Sequence, residues 1–128
     1  DSVTSIGYEA FHDCISLTSV TIPDSVTSIL WNVFENCRSL TKLDVSGFNT
    51  RVLSNVASMF KGCSSLTELK MFSGTYQLYD LREMFKDCSA LTTLDISGLA
   101  INKYGKYLEY YILCFSRPVK KNGLARSV

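Results

Sequence analysis

Five cysteines and one histidine are the side chains in this 128-residue sequence best suited to covalent or metal chemistry. A structural zinc site needs paired ligands such as C-x2-C, and no two of these cysteines lie that close together. A cysteine nucleophile needs a histidine that takes up the thiol proton. His12 lies two residues before Cys14, a spacing that points the two side chains apart in a helical turn. Glycine-rich phosphate loops and G-x-S-x-G elbows are also missing, so we predict no enzyme, no cofactor and no metal site.

The spacing of the cysteines is more informative than their number. The five residues are separated by 23, 26, 25 and 26 positions, and they are Cys14, Cys37, Cys63, Cys88 and Cys114. A nearly constant period in this range is typical of stacked repeats. The cysteines therefore act as markers of a repeat, and the odd count follows from four complete units and one that begins and fails.

The residues around the first four cysteines repeat with them. Each unit reads F-x-x-C-x-x-L-T-x-[LV]-x-[IVM] and carries an upstream pair of apolar residues three positions apart. The alternating end of the unit favours a short strand, and the segment before the cysteine has helix-like apolar spacing. One unit cannot bury its apolar edge alone, but stacked units can. We predict an α/β solenoid of short parallel strands with helical turns on the opposite face.

The repeat divides the chain into predicted segments. Residues 1–98 form four repeats, 99–114 form a degenerate fifth repeat, and 115–128 are expected to be a disordered basic tail. The four repeats span 1–23, 24–48, 49–74 and 75–98.

The stretch DSVTSIGYEAFHDCISLTSVTIPDSVTSI resembles the BspA-like leucine-rich repeat of bacterial and protist surface proteins. From Cys37 onward, segments such as MFKDCSALTTLDISGL resemble a sister surface-protein repeat of the form M-F-x-x-C-x-x-L-x-x-L-D-x-S-G. The resemblance covers residues 1–114. It implies a leucine-rich-repeat array that is exported, lies at the cell surface or outside the cell, and adheres to other proteins. It implies no catalytic residues.

Charge and aromatic residues change at the end of the array. Residues 1–98 hold seven Lys and Arg against eleven Asp and Glu, whereas residues 99–128 hold six against one. Four of the seven tyrosines also lie in 99–128. A basic aromatic segment could touch nucleic acid, but these tyrosines fall largely on core positions of the repeat. We therefore favour the interpretation that they cover the open end of the core, and we predict no nucleic-acid partner.

Cysteines stacked in register would lie close enough for disulfides, at about the 4.8 Å spacing of neighbouring strands. Identical side chains on parallel coils point the same way, however, so their Cβ atoms do not converge. We predict a column of buried free thiols that act as small apolar fillers.

Two surfaces are candidate partner-binding sites. The first, which we call the strand face, consists of the outward residues of the predicted strands and includes Lys42, Asp44, Glu68, Lys70 and Asp95. Neighbouring strands place opposite charges side by side, which favours a stabilising charge ladder over a binding surface. The second is the pair Tyr8 and Trp31, which occupies equivalent positions in the first two repeats. This pair is either an aromatic binding spot or ordinary surface cover.

The sequence as a whole favours a non-enzymatic, protein-binding adhesion module whose partner is a protein, for example a host extracellular or surface protein. The alternative is a structural spacer within a longer array. The chain opens inside a repeat without a signal peptide or a transmembrane segment. We expect a monomer, or end-to-end association through an uncapped first coil.

Overall fold

A computed structural model of the chain describes residues 3–26, 28–29, 31–47, 56–72, 82–95 and 120–122. These described ranges contain six short strands: β1 (Ser5–Ile6), β2 (Ser28–Ile29), β3 (Lys42–Asp44), β4 (Glu68–Lys70), β5 (Thr93–Asp95) and β6 (Lys120–Asn122). They form three two-stranded parallel sheets, β1 with β2, β3 with β4 and β5 with β6. We call the successive repeats coils 1 to 4.

The pairing of β3 and β4 confirms the predicted register. Lys42 lies opposite Glu68, Leu43 opposite Leu69, and Asp44 opposite Lys70. Leu43 points into the core while its two neighbours are exposed, as the alternating pattern predicts. Beyond the strand ends, Val45 N–H donates to the Lys70 carbonyl at 2.9 Å.

Among the described residues, the parallel strands do not form one continuous sheet. Strands β4 and β5 belong to different sheets, and residues 20–22, where the repeat pattern places the strand of coil 1, form no strand. Strands of three residues make too few ladder hydrogen bonds to enforce one sheet across every coil. A different pair of parallel strands, β1 and β2, forms at the apolar residues upstream of the turn segments. There Ile6 lies opposite Ile29.

The predicted helical turns are wrong in the described part of the chain, which contains no helix. The segments before the cysteines are hydrogen-bonded turns, which we call the turn segments, at 8–13, 31–36, 57–62 and 82–87. Each turn segment carries a left-handed residue at its second and sixth positions. These residues are Glu9, Asp13, Asn32, Asn36, Ser58, Gly62, Glu83 and Asp87. A right-handed helix cannot continue through such residues.

The left-handed residues turn alternate N–H groups toward the next coil. Phe11 N–H donates to the Val33 carbonyl at 3.0 Å, and Asp13 N–H donates to the Glu35 carbonyl at 2.9 Å. The same bonds recur one and two coils further on, for example from Phe34 N–H to the Met59 carbonyl at 3.0 Å. The turn segments are thus hydrogen-bonded between coils, and this replaces the bonding that a helix would keep within itself.

The core is a set of columns that run along the solenoid. Four phenylalanines stack in consecutive coils with ring centroids 5.6, 6.1 and 5.6 Å apart and nearly parallel planes; they are Phe11, Phe34, Phe60 and Phe85. In coils 2 to 4, the cysteine of each repeat and the leucine three residues after it are fully buried beside this column. The equivalent residues of coil 1 are only partly buried, since they pack against one described coil and not two.

The strand β6 lies within 115–128, where the sequence analysis expects a disordered tail. That expectation is corrected for Lys120, Lys121 and Asn122, which pair in parallel with Thr93, Leu94 and Asp95. The physical reason is that β5 offers backbone donors and acceptors along its edge, and any extended segment can pair with them. Residues 99–119 and 123–128, with Cys114 and the four C-terminal tyrosines, lie outside the described residues, so the proposed fifth repeat stays a prediction.

Candidate functional site

The described cysteines are free thiols, as predicted. Cys37, Cys63 and Cys88 are buried, and Cys14 in coil 1 is half-buried. Burial raises the pKa of Cys37 to about 11 and that of Cys88 to about 12, and it raises the pKa of Cys63 as well. Thiols with raised pKa values hold almost no thiolate at neutral pH, and the thiolate is the nucleophile and the metal ligand.

Each buried thiol has a specific acceptor, which the filler interpretation did not foresee. The sulfurs of Cys37, Cys63 and Cys88 each lie 3.1 Å from the phenylalanine carbonyl oxygen of the preceding coil. That carbonyl also accepts an N–H group of its own coil; Phe34 O, for example, accepts Cys37 N–H at 3.2 Å and the Cys63 thiol. The cysteine therefore fills space and joins two coils through one hydrogen bond.

His12 is not paired with Cys14. Its Nδ1 lies 3.1 Å from an Asp13 carboxylate oxygen, and its Nε2 lies 3.4 Å from Glu35 Oε1. The histidine thus contacts two carboxylates on the turn side of the solenoid, and it makes no contact that would activate a thiol. Among the described residues, no group of three or more His, Cys, Asp or Glu side chains is placed to hold a metal ion.

The turn segments carry a charge network that the sequence analysis missed. Glu35, whose side chain is only 13% exposed, links His12 to Lys61, with Glu35 Oε2 4.0 Å from Lys61 Nζ. Lys61 Nζ donates to Glu83 Oε1 at 2.8 Å. This bond raises the pKa of Lys61 and lowers that of Glu83. The sequence does carry a sign of this network. The repeat position of His12 holds residues of both charges, glutamate in coil 2 and lysine in coils 3 and 4.

The strand face brings together four of its five predicted residues. Lys42 Nζ lies 3.3 Å from Glu68 Oε1, and both side chains are well exposed. Asp44 is in register with Lys70, but its Oδ1 accepts the N–H of Ser46 at 2.9 Å and the hydroxyl of Ser46 at 2.6 Å.

These bonds lower the pKa of Asp44, with the Ser46 hydroxyl as the main cause and the Lys70 charge as a minor one. The aspartate therefore caps the turn after β3. In the backbone register Asp95 lies opposite Asn122 in β6, whereas the strand that carries Lys70 pairs with β3.

Tyr8 and Trp31 form the stacked pair that their repeat positions predict. Their ring centroids are 5.3 Å apart and their planes differ by 9°. Tyr8 is 58% exposed and Trp31 is 37% exposed. Glu9 N–H donates to the Trp31 carbonyl at 3.3 Å, so the backbones that carry the two rings are held together.

The described ranges contain no helix that is long and apolar enough to cross a membrane.

Comparisons with known proteins identify the type of repeat. Residues 1–111 match the family described as BspA type leucine rich repeat region, in six copies. A crystal structure of a leucine-rich repeat protein from Bacteroides ovatus is similar, with a TM-score of 0.61 and 22% sequence identity. The similarity covers 93% of this chain and 28% of that one, so this chain spans about a quarter of the Bacteroides protein. At that identity the likeness shows the fold alone. No curated protein matches the chain.

Proposed function

This chain belongs to the BspA type leucine-rich repeat family, and on that premise we propose that it is a non-enzymatic protein-binding module that serves adhesion. Leucine-rich repeats generally act as protein-interaction modules. Adhesion to a host extracellular or surface protein, and a location at the cell surface or outside the cell, follow as proposals from the family resemblance. None of the described side chains offers an activated nucleophile or a metal site that would support an enzyme.

The observation that carries the proposal is the exposed stack of Tyr8 and Trp31. Tryptophan and tyrosine are enriched among the residues that dominate binding energy at protein interfaces. The stack holds both rings in place before a partner arrives, because each ring supports the other at 5.3 Å. A partner would therefore lose little side-chain entropy at this surface on binding.

The strand face is the weaker candidate. The charges of Lys42 and Glu68 already form an ion pair, and the Asp44 carboxylate is occupied by Ser46. A partner would have to replace these interactions, and exposed ion pairs contribute only about 0–1 kcal/mol each. The strand face suits the role of keeping the coils in register and hydrated.

A structural spacer is the second candidate function. It is favoured by the regular hydrogen bonds between turn segments, which repeat from coil 1 to coil 4. A spacer needs this continuity and needs no ligand. The two candidates differ in whether any exposed residue can be removed with loss of binding and without loss of stability.

The test is a Trp31→Ala variant measured against immobilised extracellular matrix proteins by surface plasmon resonance. The matched control is Ile15→Ala, which removes a side chain that is 58% exposed at another place on the first coil. Adhesion predicts that wild type and the Ile15→Ala variant bind equally and that the Trp31→Ala variant binds at least roughly tenfold more weakly. All three should melt within a few degrees of one another. If wild type binds no member of the panel, the spacer interpretation is favoured.

A further inference from the structure

An open groove runs beside β3, along the edge of this strand that faces coil 1; we call it the edge groove. One part has a volume of about 310 Å³ and lies between Val20 and β3. The other part has a volume of about 260 Å³ and lies between residues 20–24 and the turn at Ser46. Val20 and Asp44 line both parts, so the two parts adjoin. The edge groove therefore follows β3 from its start to the turn after it.

The backbone of β3 points unpaired groups toward the edge groove. Val45 N–H donates to the Lys70 carbonyl at 2.9 Å, so the odd-numbered residues of this stretch turn toward β4. Successive residues of a strand direct their backbone groups to opposite edges. The N–H and carbonyl groups of Lys42 and Asp44 therefore face coil 1.

Coil 1 does not pair with this edge. Residues 20–22 form no strand. Among the described residues, the bond from Thr41 N–H to the Thr18 carbonyl, at 3.3 Å, is the last backbone bond between the two coils on this side of the solenoid. Pro23, which follows, has no N–H group that would extend a ladder. An unpaired strand edge is a template for another extended chain.

The charges of the edge groove change along its length. Where β3 begins, Lys42 is already paired with Glu68 at 3.3 Å. Where β3 ends, the charged residues that line the groove, among those described, are Asp24 and Asp44. Asp24 is exposed, and its carboxylate is therefore accessible to a partner. A segment with a positive charge at this end of the groove is complementary to it.

Strand β5 shows what kind of segment a strand edge of this solenoid accepts. The sequence of β5 is Thr-Leu-Asp and that of β3 is Lys-Leu-Asp. The partner of β5 is the extended segment Lys120–Asn122, which contains two lysines and pairs in parallel. A lysine-containing extended segment is thus compatible with backbone pairing to a strand of this type.

We propose that the edge groove binds an extended segment of a partner protein, which pairs with the backbone of Lys42 and Asp44 and places a lysine or arginine beside Asp24. This inference goes beyond the proposed function, because the edge groove is a second surface that includes neither Tyr8 nor Trp31. It also differs from binding to the side chains of the strand face. The partner's bonds are made to backbone groups, so the ion pair of Lys42 remains intact.

The probe is a displayed library of 12-residue peptides selected on the full wild-type chain. Selected peptides are synthesised with a fluorescein label, and their affinity is measured by anisotropy. We expect them to share a lysine or arginine and to bind the Trp31→Ala variant as tightly as wild type. This second comparison separates the edge groove from the Tyr8–Trp31 surface.

Backbone pairing is tested by methylating the peptide nitrogens one at a time. In a segment that pairs with one strand edge, alternate N–H groups face that strand. Methylation of one of these nitrogens removes a donor and places a methyl group against β3. We expect binding to weaken roughly tenfold or more at alternate residues and by less than about threefold at the residues between them. Binding through side chains alone would not give this period of two.

Two pairs of variants locate the site on the protein. Lys42→Pro removes the N–H that faces the groove, and Lys42→Ala removes the same side chain but keeps that N–H. We expect the proline variant to bind roughly tenfold more weakly than the alanine variant. Asp24→Asn should weaken binding about two- to fivefold, whereas Asp87→Asn, an equal loss of charge on the turn side, should not. Should Lys42→Pro not fold, the methylated peptides and the aspartate pair decide.

Three outcomes overturn the edge groove. A methylation profile without alternation would exclude pairing with a strand edge. Peptides that lose their affinity for Trp31→Ala would support the proposed function and place the site at the aromatic stack. If selection retains no peptide, the edge groove is not a peptide site, and the test of adhesion with matrix proteins stands apart from that result.

Discussion

Replacing Cys63 separates the two roles that the structure gives to the buried thiols, which fill space in the core and donate a hydrogen bond to the preceding coil. Cys63 is fully buried, and its sulfur lies 3.1 Å from the Phe34 carbonyl oxygen. An alanine at this position removes one atom of roughly methylene size, which costs about 0.8 kcal/mol in transfer free energy. The cavity that remains and the lost weak hydrogen bond bring the expected loss to about 1–2 kcal/mol. The loss is not larger because Phe34 O keeps the Cys37 N–H as a partner.

A serine at the same position gives the decisive comparison. If the thiol is a donor to the carbonyl, the serine hydroxyl finds the same acceptor, and Cys63→Ser is at least as stable as Cys63→Ala. If the thiol is only an apolar filler, the serine buries a hydroxyl without a partner. Serine is then less stable than alanine by about 1–3 kcal/mol.

The measurement is urea unfolding followed by far-UV circular dichroism at neutral pH under reducing conditions. Cys14→Ala is the control, since the Cys14 thiol is only half-buried and its loss should cost less than half as much as that of Cys63. A serine variant clearly less stable than the alanine variant would refute the donor role. An alanine variant as stable as wild type would refute both roles.

Three further predictions follow from the charges and thiols. Because burial raises the pKa of Cys88 from 9.0 to about 12, the unfolded state gives up this proton first. The stability that Cys88 contributes is complete below pH 9 and is lost between pH 9 and 12, by up to about 1.4 kcal/mol per pH unit. Urea midpoints should therefore fall less steeply above pH 9 in Cys88→Ala. Ser46→Ala should raise the pKa of Asp44 toward its ordinary 3.8, as followed by NMR titration of the carboxyl carbon, and an unchanged pKa contradicts the cap. Lys61→Met should cost about 0.5–1 kcal/mol in urea unfolding and raise the pKa of Glu83, and no change in either would exclude a role for this partly exposed pair.

The sequence predicted the parts of the fold that depend on side-chain periodicity. The period of the cysteines located the coils, the alternation around Leu43 fixed the face and register of β3 and β4, and the shared position of Tyr8 and Trp31 placed the two rings together. These features need only the rule that equivalent residues of a stacked repeat become neighbours.

The turn segments were mistaken for helical turns because apolar spacing describes side chains and not backbone handedness. Part of the missing information was present in the residue just before each cysteine, which is Asp13, Asn36, Gly62 and Asp87. Aspartate, asparagine and glycine are the residues that most readily adopt positive φ. Gly62 adopts φ +77°, and a Cβ there would require the side-chain amide of Asn36 to move. The other left-handed position is the second residue of each turn segment, and it holds glutamate in two coils. Glutamate has no particular preference for positive φ, so its presence would not have indicated this conformation.

The spacing of the candidate binding surface follows from the core. The phenylalanine column and the bonds between turn segments set a step of 5.6–6.1 Å along the solenoid, and every outer position repeats with it. That step is close to the separation of stacked rings, so aromatic residues at the same outer position of two adjacent coils form a stack, as Tyr8 and Trp31 do. The inner position keeps phenylalanine in four coils, whereas the first position of the turn segment changes from Tyr8 to Trp31, Ala57 and Arg82. Substitutions at this outer position therefore leave unchanged the core that fixes its spacing.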